Sequence, residues 1–555
     1  MSTSPRVRQY DAEVIASPYA TRICLALALP CVFSAFGCAA PMSDAGTPEQ
    51  RAGLFNAIIS KTRDRQAVAP TKNATLDFDP IRAMRAERDG VVDAETAREL
   101  FYALSRLSAA RRDRHLSTML VPGGISPALT DGLATLGDVE TAAPRHAPIR
   151  VFPDYGQRSE DYFVGDLAEG YEEASRITPG DRVVQINGLH ISEYVDLATP
   201  YIPHSTAAAL RWEIAEVIPQ RSGVLHPSLF AEELLLMLED GDGRFYSVTL
   251  GYHDAAALTW RNLAEPAYAG FTRVGSTPTY DLLRPDDGRR IAILLWRGFG
   301  TALPDDVDAL VARAGQEGWL DHALIIDVTR SRGGSLGSYA LQRLQPRAFK
   351  TTFGTLRLSD VTEPFIAGKR AEPALRAPLA ADSRETIDSG AWLLDWLEND
   401  VIAGLVRGDL TTAPVPFKLA HAPKDADGVL EPAPLHFSGP LVVISGPSGG
   451  AHLDQFNSIV ADNDLGAIIG MPAGGYSNTW EWEEELVFPG TSRPVVGFMW
   501  SIGQTIRPNG EILEGNPATP DVWVPLTSSG FVGYYARLYD HAEAWLDSMG
   551  HSIPQ

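Results

Sequence analysis

The chain has 555 residues, with 47 lysines and arginines against 70 aspartates and glutamates, for a formal net charge of −23. That length exceeds a single hydrophobic core and predicts two or three domains, and the acidic surplus repels nucleic-acid phosphates and anionic lipid headgroups. The composition, 45% apolar and 21% charged, is globular, and all three cysteines (Cys24, Cys31, Cys38) lie near the N-terminus, so a chain cleaved there has no disulfide, thiolate zinc site or cysteine nucleophile.

The leader carries Arg6, Arg8 and Arg22, then an apolar run from Ile23 to Gly37, then Cys38-Ala-Ala-Pro. The run is short for a membrane span and suits a secretory signal. Residues 1–38 are therefore expected to direct export to the periplasm or cell envelope. A short membrane anchor is the alternative, since Asp11 and Glu13 are unusual in a leader. Gly37-Cys38 resembles a bacterial lipoprotein signal, which implies a lipid on Cys38 as the chain's membrane attachment.

Residues 39–75 are polar, with one helical patch at Leu54, Ile58 and Ile59, and read as a linker with a docking helix. Residues 76–148 form an N-terminal helical segment. Within it, Glu95 to Arg112 places Leu100, Leu104 and Leu107 on one helix face, and an alternating apolar run ends at Val121. His115 falls between the two, near the start of a strand. Taken alone, a histidine there reads as a surface group.

From 149 to 260 the texture changes to short strands and turns. Thr178-Pro-Gly-Asp181 is a turn, Arg182 to Ile186 a strand, and Asn187-Gly188 a hairpin turn. A helix is expected over Ala207–Val217, and strands over Leu234–Leu238 and Phe245–Leu250. Residues 261–355 alternate strand and helix: Ile291–Leu295, Asp305–Gly318, Ala323–Val328, a glycine turn at Gly333-Gly334, and Ser335–Leu344. This alternation predicts a parallel sheet. Residues 356–438 read as an insertion with a helical part around Trp392 to Val406. In 439–555 an apolar strand, Leu441 to Ile444, breaks on Gly446, Pro447, Gly449 and Gly450 into a helix bearing Leu453, Phe456 and Val460, followed by a strand at Ala467–Gly470. A glycine turn that opens a helix concentrates unpaired N–H groups at one point. There is no internal repeat, no HExxH, no Walker loop, no dinucleotide fingerprint and no G-x-S-x-G elbow, so neither cofactor nor metal is expected.

Three motifs fall in one order: DRHLS around 115, ALIIDVTRSRGGS at 323–335, and ISGPSGGAHLDQF with its ADNDLGAIIG tail. Together they resemble the tail-specific, or C-terminal processing, serine protease family, in the branch of the chlamydial protease-like activity factor, which uses Ser-His-Glu. The string ITPGDRVVQINGLHI within 149–260 resembles a PDZ domain, a fold that binds extended peptide. The resemblance implies an α/β fold: a crotonase-like ββα-type protease core of mixed or parallel sheet with crossover helices, an N-terminal helical segment and an inserted PDZ-like β-rich domain. It implies acyl transfer on a polypeptide substrate. His115 matches the general base, Gly333 and Gly334 the oxyanion-hole turn, and Glu514, with Glu511 as the alternative, the carboxylate that orients the imidazole. The nucleophile position falls on Ala451, and the lysine position of the Ser-Lys branch on Tyr476. An alanine there implies either an inactivated peptidase or a non-catalytic protein of the same fold that binds a peptide or a small ligand, with Tyr476 and Trp480 lining its pocket. Ser448 is the alternative nucleophile.

Overall fold

The computed structural model describes residues 43–120, 145–157, 160–264, 266, 268–371, 394–416, 427–478, 480–492 and 494–550. The leader, with its three cysteines, lies outside them.

Thr47 opens α1 (Pro48–Arg65) with a capping box: its hydroxyl accepts the N–H of Gln50 and the Gln50 side chain accepts the N–H of Thr47. The expected linker is thus mostly helix, continuing through α2 (Ala69–Leu76). Its apolar stripe is narrow, Phe55, Ile58 and Ile59, and polar residues such as Arg51, Thr62 and Arg65 fill the rest of the buried face. A second capping box, Thr96 with Glu99, starts α3 (Ala97–Ala109), which buries Leu100, Leu104 and Leu107. The chain then turns through Arg111 to His115 into β1 (Thr118–Leu120).

The insert contains β2 (Ile149–Pro153), β3 (Tyr162–Leu167), β4 (Arg182–Ile186), α4 (Ala207–Val217), β5 (Leu234–Glu239) and β6 (Phe245–Leu250). The strands form one antiparallel sheet in the order β2-β3-β4-β5-β6. Along β2, buried Ile149 and Val151 alternate with half-buried Arg150 and Phe152, and α4 packs against it.

The core follows in chain order: β7 (Phe271–Ser276), β8 (Tyr280–Pro285), β9 (Ile291–Trp296), β10 (Gly298–Phe299), α5 (Leu303–Glu317), β11 (Ala323–Asp327), β12 (Arg332–Gly334), α6 (Gly337–Leu344), β13 (Leu441–Ser445), α7 (His452–Asp462), β14 (Ala467–Gly470), β15 (Glu481–Val487), β16 (Pro494–Ser501), β17 (Val522–Trp523) and α8 (Tyr534–Ser548). Seven strands make the main sheet, β7-β8-β9-β11-β13-β14-β17, parallel from β9 onward and antiparallel at β7 and β8. Strands β9, β11 and β13 are unbroken apolar runs because both faces are covered. Leu294, Ile326 and Val443 pack under α5, α6 and α7, while Ile293, Ile325 and Val442 pack on α8.

A three-stranded sheet, β1-β16-β15, closes over the N-terminal helices. Trp396, Leu397 and Val401, from the segment read as an insertion, are buried in the same core as Phe101, Leu104 and Trp500. The described part of that segment around Trp396 to Val401 therefore completes the N-terminal core; the parts from 372 to 393, including Trp392, and from 417 to 426 lie outside the described residues.

Candidate active site

Two glycine turns meet at the ends of β11 and β13. After Ser445 the chain runs through Gly446 to Gly450, and Ala451 caps α7 at φ 59°, ψ −122°. A residue with a Cβ holds that conformation only where its surroundings enforce it. Here the N–H of Ala451 donates to the carbonyl of Tyr476 at 2.7 Å and that of Gly474 to the carbonyl of Gly449 at 2.7 Å. The methyl of Ala451 faces Gly333: a Cβ on Gly333 would stand 2.6 Å from it. Gly334, at φ 149°, lies against the backbone of Phe299, where a Cβ would come within 2.1 Å of the carbonyl oxygen. Of the two glycines matched to the oxyanion turn, Gly333 thus lies against the residue matched to the nucleophile. A strained strand-to-helix turn of this kind lifts a nucleophilic side chain clear of the backbone; at 451 that side chain is a methyl.

His115 approaches the same turn through Tyr476. The Asp113 carboxylate accepts the N–H of His115 at 3.2 Å and the side-chain amide of Asn478 at 3.2 Å, which pins the loop after α3. The imidazole stands edge-on to the Tyr476 ring, with centroids 4.8 Å apart. That ring in turn covers Gly450, where a Cβ would meet it at 2.1 Å. Nδ1 of His115 is buried with no hydrogen-bond partner among the described residues. Burial lowers the His115 pKa to about 4, Arg114 adds to the fall and Asp113 opposes it. The imidazole is neutral at pH 7, able to accept a proton but a weak base.

Glu514 is buried, and its carboxylate accepts from Nζ of Lys72 at 3.0 Å, from Oγ of Ser205 at 2.5 Å and from the N–H of Ser477 at 3.3 Å. Lys72, on α2, also donates to the carbonyls of Arg111 and Arg112. The carboxylate expected to orient the imidazole is therefore bonded to a lysine and a serine. Burial raises the Glu514 pKa, with Asp113 adding and Lys72 opposing. Ser205 accepts the N–H of Arg114 at 3.1 Å, and Arg114 makes a two-pronged pair with Glu213 of α4 at 2.7 and 3.0 Å. The insert, the helical segment and the core meet here. Neither Lys72 nor Ser205 belongs to a motif; Lys72 sits in a stretch that reads as linker. Lys72→Met leaves a buried carboxyl without its cation, and an expected loss of about 3 kcal/mol, read from urea unfolding, should be substantially recovered by adding Glu514→Gln.

Asp454, on α7, is fully buried and accepts the N–H groups of Gly475 and Tyr476 at 3.0 Å. Burial raises its pKa from 3.8 to about 8, outweighing those two bonds. The folded state keeps a proton that the unfolded chain has released, so this group's contribution to stability is lost as pH rises toward 8. His115 has the opposite sign: its lowered pKa costs stability as pH falls from 6.5 toward 4. The thermal midpoint is expected to decline between about pH 6.5 and 8, and Asp454→Asn to flatten that decline.

The remaining candidates separate. Ser448 donates through Oγ to the carbonyl of Thr329. Glu511 is exposed, on an outer turn, bonded to Asn509 at 3.3 Å and Asn516 at 3.0 Å. Trp480 is corrected from a pocket residue to a core residue: it is 4% exposed, stacked on Trp396 with centroids 5.5 Å apart and edge-on to Phe365. A cleft of about 740 Å³ opens between the insert and the core, lined by Arg114, Glu213, Thr329 to Ser331 and Gly446 to Ser448 among others. Ser448 lines this cleft, while His115 reaches the 450–451 turn through the Tyr476 ring. Among the described residues no three His, Cys, Asp or Glu side chains are grouped to hold a metal ion, and no helix is long and apolar enough to cross a membrane.

Mature CPAF superimposes on this chain with a TM-score of 0.67 at 14% identity, over 91% of this chain and 99% of that one. The chain has the fold of the tail-specific proteases, in its CPAF-like form. CPAF complexed with lactacystin matches with a TM-score of 0.66 at 13% identity, over 90% of this chain and 98% of that one. A serine-to-alanine mutant of CPAF matches with a TM-score of 0.66 at 13% identity, over 92% and 99%. No protein-family model and no curated protein sequence matches. At such identities the CPAF likeness is one of fold, and the chemistry of this chain rests on its own residues.

Proposed function

We propose that this chain binds polypeptide in a protease-type cleft and does not cleave it. The observation that carries the reading is Ala451, a methyl in the strained turn where acyl transfer needs a hydroxyl. Supporting it, Glu514 is bonded to Lys72 and Ser205, and the His115 imidazole has no partner at Nδ1. In this reading Gly333 and Gly334 serve as a backbone surface for a carbonyl, and the insert, PDZ-like in sequence, forms the wall of the cleft. The test incubates the chain with an unfolded polypeptide such as reduced, carboxymethylated α-lactalbumin. Binding by fluorescence polarisation with no new termini by mass spectrometry is expected; new termini, or no binding, overturn the reading.

A second reading is a serine-type peptidase, Ser-His-Glu in design, whose nucleophile is replaced by alanine. The strained backbone at 451 and its contact with Gly333 favour it, since a chain that only binds gains nothing from that strain. Location belongs to the proposal as well: the apolar leader supports export to the cell envelope with a lipid at Cys38. Labelled palmitate incorporated by the native chain and lost in Cys38→Ser is the expected result.

A further inference from the structure

The cleft between the insert and the core is lined by residues from α4, β2 and α8, as well as by the glycine turns. Its volume of about 740 Å³ suits a ligand the size of a short peptide. Two of its carboxylates are already matched: Glu213 is held by Arg114, and Asp166 pairs with Arg150 at 3.3 Å. Glu216 is not. It lies one helical turn beyond Glu213 on the cleft-facing side of α4, it is exposed, and among the described residues it has no ion-pair partner. The enclosing walls and neighbouring Glu213 raise its pKa against the pull of Arg150, the nearby guanidinium that Asp166 already holds.

The surroundings of Glu216 are aromatic. Trp212, one turn earlier on the same helix, stands edge-on to Phe152 at 5.7 Å, and Phe152 packs on Phe531 at 4.8 Å. A single unmatched carboxylate beside an indole is the chemistry that holds an ammonium or guanidinium group, by a charge-assisted hydrogen bond at one side and a ring face at the other. An anionic or purely apolar side chain there leaves the carboxylate without a counter-charge in a partly enclosed site.

We infer that Glu216 sets the specificity of the cleft, and that the polypeptide bound there presents a lysine or arginine side chain to it. The inference rests on the polypeptide-binding reading and adds the chemical class of the segment recognised.

The test uses the full chain and fluorescein-labelled octapeptides built on alanine and serine, with one lysine moved through each position, against the same series with norleucine. By fluorescence polarisation, the best lysine peptide is expected to bind about tenfold tighter than its norleucine twin. Glu216→Gln should erase that ratio, and Glu216→Lys should invert it in favour of a glutamate series. Equal binding of lysine and norleucine peptides, or a ratio that survives Glu216→Gln, overturns this inference alone. Binding of no peptide in any series overturns it together with the polypeptide reading. Circular dichroism of both variants checks that α4 is intact.

Discussion

Ala451→Ser is expected to raise hydrolysis of an unfolded polypeptide by roughly 10²-fold over the chain as it stands. Removal of a serine nucleophile from a complete triad costs about 10⁶ in turnover, so full alignment would return that much. The site is not fully aligned. The His115 Nδ1 has no acceptor, and Glu514 is bonded to Lys72 and Ser205. An imidazole left without its orienting carboxylate loses about 10⁴, and the quotient of the two factors is the expected gain. His115→Ala in the same background should remove it. A gain that persists without His115 would place the base elsewhere, and no gain at all would leave binding as the only function of the turn. Either result separates the two proposed readings.

Gly334→Ala is expected to produce the largest stability loss of any single methyl added at the site, about 4 kcal/mol, from overpacking against backbone together with strain at positive φ. The new Cβ would lie 2.1 Å from the carbonyl oxygen of Phe299 and 2.7 Å from its carbon, and the residue sits at φ 149°. No side-chain rotation relieves a collision with main chain, so the pairing of β12 with β10 must open, and with it the turn that brings Gly333 to Ala451. Gly300→Ala is the control, since its Cβ would meet nothing within 4 Å. The urea midpoint should fall sharply for the first and hardly move for the second; a similar small change in both would show that the turn is softer than its contacts indicate.

Much of the fold was legible locally. Strand β14 and helix α4 run over the residues that their patterns indicated, Ala467–Gly470 and Ala207–Val217. Each is set by period and by flanking turn residues, which a sequence displays directly. Helix α1 was not legible as a long helix, because Arg51, Thr62 and Arg65 are buried in it through polar contacts that no hydropathy pattern reports. Trp480 failed for the converse reason. An aromatic near a glycine turn suits a pocket or a core equally, and Trp396, 84 positions away by number, claimed it for the core.

The amino-acid order by itself determined the strand-turn-helix units, the two glycine turns at 333–334 and 446–450, and the absence of a hydroxyl at 451, because each of these is written within a few neighbouring residues; that the two turns meet was decided by the pairing of β11 with β13. Only the tertiary structure decided what Glu514 does. Its partner Lys72 lies 442 residues away, and a buried ion pair leaves no local trace: its partners are chosen by which desolvated charges the packed core brings together.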